Sequence, residues 1–460
     1  MSLHTSFTHG IYWPLVQKLK REYAAHALKE LSESQWKSQE ELLFEQWQLV
    51  RRTVNKSARE VPYYQESFRC IGWDFKNTAF SYKDFLNIPK VEKEDVRDHL
   101  SKFLNPAYKG RVKKGSTSGS TGESLTIYYS IEHGSYSEAA RWRAKAWWGI
   151  KPGSPHIVIW GRPYTGYKDR LLQQVKSYLM NYLLFSAFDI REDSIKKVWK
   201  KIYRFKPHII YGYPSAIFPL AEYLGENNIP ADKLGIKVVM ITAESCPLEH
   251  RSTIEKVFGC KTANEYGCSE TGGFVYECPQ GSWHISTELT FIEFLDKKGN
   301  PILPGETGEI YLTDLRNDRM PLIRYRVGDM GGPVSGVCPC GRSLPLMNVS
   351  LAKESDFIRL ADGKILSSEI FDYINLAVMK AHPYSILKFR VTQKTEDLFE
   401  IEVVPGSGPM EKAEQLFAQL LKKQLGKNIQ IHFTTVTSIE REPSGKLRYF
   451  ISEVKKNRPS

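Results

Sequence analysis

Lys113-Lys114-Gly115-Ser116-Thr117-Ser118-Gly119-Ser120-Thr121-Gly122-Glu123 is the stretch on which the reading of this chain turns. Between Gly115 and Gly122 it packs three glycines and five hydroxyl side chains into eight residues. Glycines let backbone amides approach an anion closely, and Ser and Thr hydroxyls add neutral donors. A triphosphate needs such a surface. The stretch is not a Walker loop, because the Gly-Lys-Ser/Thr ending is absent. Its composition alone also suits a flexible Ser/Gly linker. What surrounds it separates the two readings.

Leu125-Thr126-Ile127-Tyr128-Tyr129 reads as a strand directly after the loop. Further on, short apolar runs alternate with amphipathic stretches. His156 to Trp160, Ile209 to Tyr211 and Val238 to Ile241 read as buried strands, and residues 193–205 as a helix capped by Asp193 or Ser194. Strands alternating with helices predict an α/β fold with parallel pairing. Upstream, the first 60 residues look helical. Ser38 to Glu41 has the form of a capping box, Leu43, Trp47, Val50 and Val54 recur at helical spacing, and Val61-Pro62 ends the segment. After about residue 350 the pattern becomes a small α+β unit. It holds strands near 356–360, 388–392 and 399–404, helices from Ser368 and from Met410 to Leu425, and a last strand at 429–433. The expected division is 1–351 and 352–460, a length that calls for at least two cores.

The 460 residues are 41% hydrophobic and 25% charged, a globular composition. No run is long and apolar enough to span a membrane. The N-terminus lacks a basic segment followed by an apolar one, so the expected location is the cytoplasm. The net charge is +12, with 64 basic and 52 acidic residues. The basic residues are scattered, so a solvated surface is expected and nucleic acid is not. Seven cysteines at irregular spacing argue against a disulfide framework.

Further segments follow the loop in order. They are Thr242-Ala243-Glu244, Glu265-Tyr266-Gly267-Cys268-Ser269-Glu270, Arg324-Tyr325-Arg326-Val327-Gly328-Asp329 after Gly305 to Ile310, and Pro443-Ser444-Gly445-Lys446. Together with Thr117 to Gly122 they resemble, in order over more than 300 residues, the motifs of the adenylate-forming ligases. Val61 to Tyr64, Tyr211-Gly212-Tyr213-Pro214-Ser215 and Cys340-Gly341-Arg342 resemble the phenylacetate-CoA ligase-like branch. The ending Ser-Gly-Ser-Thr-Gly-Glu leans toward its capsular-polysaccharide-associated subgroup. The resemblance implies a large N-terminal adenylation domain of mostly parallel sheets and helices, and a small mobile α+β C-terminal domain.

It also implies roles for individual residues. Ser118, Gly119, Ser120, Thr121 and Gly122 wrap the β- and γ-phosphates of ATP. Tyr266, next to Gly267, lies against adenine. Ser269 reaches the α-phosphate, and Glu270 holds Mg2+. Glu244 joins the metal shell or orders Glu270, unless it is a solvated loop acid. Asp329 binds the ribose, and Lys446 bridges the substrate carboxylate and α-phosphate during the first half-reaction. Where the family writes a hinge as Gly-Arg-x-x-Asp, this chain has Ala352-Lys353-Glu354-Ser355-Asp356. Lys353 therefore touches ribose or phosphate without a bidentate grip. Trp160, Tyr211, Gly212, Tyr213 and Pro214 are candidate walls of an acyl pocket. His133 and His156 read as structural.

Cys278, His284, Cys338 and Cys340 are three thiols and one imidazole, the ligand set of a closed structural Zn2+ site. Isolated buried thiols beside a surface histidine are the alternative. The function expected is ATP-dependent activation of a carboxylic acid to an acyl-adenylate, with pyrophosphate release. Acyl transfer to CoA or to an amine or sugar acceptor follows, in surface polysaccharide synthesis for one branch. An amide-forming ligase that does not use CoA, and a non-catalytic nucleotide-binding scaffold, are the competing readings. A homodimer is left open.

Overall fold

The computed structural model describes residues 3–74, 76, 78–116, 125–160, 174–187, 190, 194–353, 357–361, 365–440 and 448–454. Helices occupy the N-terminal part as expected. Ser38 and Glu41 form the reciprocal capping box that starts the helix Gln39–Glu60, and Pro62 opens a second helix, Pro62–Cys70, rather than only ending the first. The first helix buries Leu42, Gln46, Val50, Thr53 and Val54. Leu43, expected on that face, is instead exposed, because the buried stripe runs one position earlier.

Strands β1 (Val112–Ser116) and β2 (Thr126–Ser130) form an antiparallel hairpin around the loop. The large sheet contains β3 (His156–Trp160), β4 (Tyr182–Ser186), β5 (Ile209–Gly212), β6 (Val238–Thr242), β7 (Lys261–Cys268), β8 (Gly272–Glu277), β9 (Trp283–Ile285), β10 (Thr290–Leu295), β11 (Gly308–Asp314), β12 (Tyr325–Val334) and β13 (Leu346–Lys353). Their order is β10-β11-β12-β13-β9-β8-β7-β6-β5-β3-β4.

From β4 to β7 every pair is parallel. Helices Ile195–Phe205, Pro214–Glu226 and Leu248–Phe258 pack over these strands, so β5 and β6 are buried along their whole length. The α/β class holds, but mostly parallel pairing describes only this half. From β7 to β10 every pair is antiparallel. No helix separates these strands, and an antiparallel neighbour can be reached by a short turn where a parallel one needs a crossover.

The C-terminal domain has its own core, running from Ile358 to Phe450. β14 (Phe357–Arg359) and β15 (Ile365–Ser367) form a hairpin. β16 (Ile386–Gln393), β17 (Leu398–Pro405), β18 (Gln430–Thr435) and β19 (Phe450–Ser452) form a sheet in the order β18-β17-β16-β19. Helices Glu369–Ala381 and Met410–Leu425 contribute Phe371, Val378, Phe417 and Leu421 to this core. The strand at 429–433 is therefore not the last, since β19 adds parallel to β16. Among the described residues, no helix is long and apolar enough to cross a membrane.

Candidate active site

Residues from two separated motifs meet at the C-terminal end of β7 and the start of β12. Tyr266 donates its phenol hydrogen to Asp329 Oδ2 at 2.8 Å. Tyr325 donates to Glu270 Oε1 at 2.9 Å. Burial, together with the neighbouring carboxylates, pushes both phenols well above their ordinary pKa, so each stays a neutral donor. Glu270 and Asp329 are 8% and 9% exposed, low enough that each carboxylate needs partners. Glu270 Oε2 has no hydrogen-bond donor among the described residues. Tyr129, on β2, donates to the Ser269 carbonyl, which ties the loop hairpin to the same place.

The backbone here is tightly determined. At Gly267 a Cβ would fall 2.1 Å from the Gly272 carbonyl oxygen and 2.6 Å from the Gly273 Cα. Gly267→Ala is accordingly expected to cost roughly 1–3 kcal/mol or more of strain, since backbone cannot yield as a side chain does. Lowered thermal stability together with weakened ATP binding would be the signature, and unchanged values of both would contradict it. Cys268 lies between Tyr266 and Glu270. Burial and Glu270 raise its pKa well above that of a free thiol, so it stays protonated and is no nucleophile.

Glu244 follows Ala243, whose φ of 68° turns the chain sharply after β6. Its Oε2 accepts from the Ser215 amide at 3.1 Å, at the start of the helix Pro214–Glu226. A carboxylate there is favoured by the positive end of the helix dipole. Lys353 is the strand partner of Asp329 across β12 and β13, which brings its backbone to the same end of the sheet. Trp160 stacks on Tyr211 at 5.8 Å and meets Tyr213 at 4.6 Å. Gly212 lies against the Ile159 carbonyl, with room for no side chain, and Pro214 occupies the first turn of its helix. Ser118, Gly119, Ser120, Thr121, Gly122 and Lys446 lie outside the described residues. Tyr449, three residues beyond Lys446, has its ring 6.1 Å from His250 on the helix Leu248–Phe258.

Several partners were invisible in the motif pattern. Arg141 donates through Nε to both carboxylate oxygens of Glu265 at 3.1 Å, and Tyr211 donates to Oε1 at 3.1 Å. His133 Nδ1 lies 2.9 Å from Asp314 Oδ2, and its ring stacks on Tyr129. Arg324, inside the Arg-Tyr-x-x-Gly-Asp segment, grips Glu293 rather than facing Glu270 and Asp329.

Cys278, His284, Cys338 and Cys340 do converge. Their ligand atoms all lie within 4.8 Å of one another. Cys278 and Cys338 have sulfurs 3.6 Å apart, and Cys340 Sγ is 3.3 Å from His284 Nε2. His284 Nδ1 is 3.3 Å from the Leu344 carbonyl, which leaves Nε2 for a metal. Zn–S bonds of about 2.3 Å in a tetrahedron imply sulfurs about 3.8 Å apart, so the donor set fits zinc. All seven cysteines are free of disulfides.

The geometry is matched by similarity to known proteins. Residues 182–314 match the model for AMP-binding enzymes, and residues 360–453 match the CapK C-terminal domain. Protein CapK of Staphylococcus aureus is 24% identical over 377 residues, covering 80% of each chain. Phenylacetate-coenzyme A ligase of Thermus thermophilus is 24% identical over 424 residues, covering 87% of this chain and 94% of that one. The fold superposes on 2-hydroxyisobutyryl-CoA ligase in the postadenylation state with a TM-score of 0.70, at 18% identity, covering 89% of this chain and 88% of the other. With two converging motifs, an α/β fold and matches to both family models, the chain is an adenylate-forming, phenylacetate-CoA ligase-like protein related to CapK.

Proposed function

We propose that the protein joins a carboxylic acid to ATP as an acyl-adenylate, and then transfers the acyl group to CoA. A carboxylate oxygen of the acid attacks the α-phosphorus, the bond to the β-phosphate oxygen breaks, and pyrophosphate leaves. The acceptor then attacks the acyl carbon and AMP departs. The supporting observation is that Tyr266–Asp329 and Tyr325–Glu270 gather two distant carboxylates at one end of the sheet.

In this reading Ser118 to Gly122 hold the departing phosphates, Tyr266 packs on adenine, Ser269 reaches the α-phosphate and Asp329 takes the ribose hydroxyls. The unclaimed Oε2 suits Glu270 to hold Mg2+, which would offset phosphate charge. Glu244 acts on the metal shell indirectly, by fixing the loop after β6. Lys446 supplies the mobile positive charge between the carboxylate and the α-phosphate. The C-terminal domain, beginning near residue 352, is assigned the rotation between half-reactions, with Lys353 at the pivot. Dependence on ATP and CoA supports a cytoplasmic location.

A release assay for pyrophosphate over a panel of acids, repeated with CoA and with amines, tests this directly. Acid-dependent release supports the first half-reaction, and AMP formation that requires CoA supports the acceptor. No release with any acid would overturn the proposal. The Ser-Gly-Ser-Thr-Gly-Glu ending, which resembles the capsular-polysaccharide-associated subgroup, favours a second acceptor, an amine or hydroxyl of a surface-polysaccharide sugar. AMP formation driven by an amino sugar without CoA would select it.

We further assign Cys278, His284, Cys338 and Cys340 to a structural zinc that pins the β8–β9 turn to the loop between β12 and β13. One zinc per chain is expected by elemental analysis, and Cys338→Ser is expected to lose it together with several degrees of thermal stability. A metal-free protein of unchanged stability would remove the assignment.

A further inference from the structure

The helix Ile131–Trp147 carries His133, Ser137, Arg141 and Lys145 at four-residue intervals, so all four share one face. That face looks toward the sheet. Arg141 meets Glu265 on β7, and Lys145 meets Tyr211 on β5. A helix packed on a sheet ordinarily presents an apolar stripe there. This one presents a polar one.

Two members of the stripe have no hydrogen-bond partner among the described residues. Ser137 Oγ is buried with no hydrogen-bond partner among the described residues. It faces Gly272, whose added Cβ would lie 3.3 Å from it, two residues past Glu270. Lys145 is 5% exposed, and none of the described residues accepts a hydrogen bond from its ammonium. The nitrogen instead lies 4.7 Å from the Trp142 ring centre and 4.9 Å from that of Tyr211. Burial and the nearby Arg141 lower its pKa to about 8, so at neutral pH it remains mainly charged.

Neighbouring groups do not discharge this lysine. Glu265 is engaged by Arg141 and Tyr211. Glu138 accepts from Trp13 Nε1 and Gln17. His156, edge-on to Trp142, is held neutral by burial and by Lys145 itself, with a pKa near 3. An uncommitted buried ammonium is costly unless an acceptor arrives. Along the helix, Ser137 and Lys145 are separated by about 12 Å. Ser137 marks the end near Glu270, and Lys145 the far end, against the Trp160–Tyr211 stack.

We infer that the acid activated by this protein is a dicarboxylate. One carboxylate lies near Ser137 and becomes the adenylate, while Lys145 receives the other at the far end, flanked by Trp142 and Tyr211. This rests on the ligase reading proposed above and on Trp160 and Tyr211 as walls of its acyl pocket. Lys145 is then the residue that sets substrate class, and Arg141–Glu265 is a positioning pair that keeps Tyr211 in place.

Matched pairs of acids test it: butanoate with succinate, hexanoate with adipate, and phenylacetate with 4-carboxyphenylacetate. Each is assayed by pyrophosphate release with the full-length protein. The wild type is expected to favour the second member of at least one pair by tenfold or more in kcat/KM. In Lys145→Met that ratio is expected to fall by tenfold or more, chiefly through KM, with Lys145→Arg restoring part of it. A wild type that releases pyrophosphate with the monocarboxylates and gains nothing from the second carboxylate overturns the inference while leaving the proposed ligase standing. Absence of release with every acid would instead count against the ligase reading. Because the wild-type comparison decides alone, a variant that fails to fold does not rescue the idea.

Discussion

Replacing Lys446 by alanine is expected to lower acid-dependent pyrophosphate release by roughly 10²–10³-fold, the range for removing one donor aimed at developing negative charge. The loss should appear in kcat, because the lysine acts on charge that builds as the carboxylate meets the α-phosphate. ATP affinity in the same variant should change little, since Asp329, Tyr266 and the loop carry nucleotide binding in this assignment. The second half-reaction offers a control. Supplied with preformed acyl-adenylate, the variant should still produce AMP with the acceptor at near wild-type rate. Undiminished pyrophosphate release would remove Lys446 from the mechanism. Equal losses in both half-reactions would indicate that the C-terminal domain is misplaced or unfolded. Tyr449, close in sequence and set against His250, provides the structural link through which such misplacement would act.

The second large effect concerns stability. Arg324 is 2% exposed and grips Glu293 with Nε at 3.1 Å and Nη2 at 2.9 Å. Its Nη1 donates to the carbonyls of Leu86 at 2.5 Å and Ile88 at 2.7 Å. One guanidinium thus ties β12 to β10 and to the segment leading into Val91, which bridges Tyr325. Arg324→Met would leave the Glu293 carboxylate buried without its countercharge. Breaking such a pair costs about 3–5 kcal/mol, because an uncompensated charge remains. Urea unfolding should show the loss, and adding Glu293→Gln should recover much of it. A single variant within about 1 kcal/mol of wild type would show that the pair is not a keystone. Adenylation should fall too, since Tyr325, the next residue, positions Glu270.

How far the sequence could be read differs by element. Met410–Leu425 was readable to the residue, because its period is strong and no other element competes for its face. The buried strands β3, β5 and β6 were equally plain as unbroken apolar runs. The antiparallel half was not. Between Lys261 and Lys353 the strands carry mixed burial, and pairing partners depend on turns that local pattern does not encode. β19 was missed because three residues make no periodic signal.

At the site, sequence order supplied Tyr266, Glu270 and Asp329 as candidates, but it could not state that Tyr266 bonds Asp329 or that Tyr325 bonds Glu270. It offered Glu244 as a metal neighbour, where the folded chain also shows a helix-capping carboxylate. It offered four zinc-type ligands at unusual spacing, and only folding set their donor atoms within 4.8 Å.

The sequence by itself determined the α/β class, which follows from local periodicity, and the order of the motifs that resemble those of the adenylate-forming ligases. Tertiary structure alone decided which carboxylate each phenol serves, that Arg324 is structural, and that Lys145 is buried without a hydrogen-bond acceptor among the described residues. Those outcomes depend on distances between residues far apart in the chain, and burial is a property of the whole packed molecule rather than of any segment.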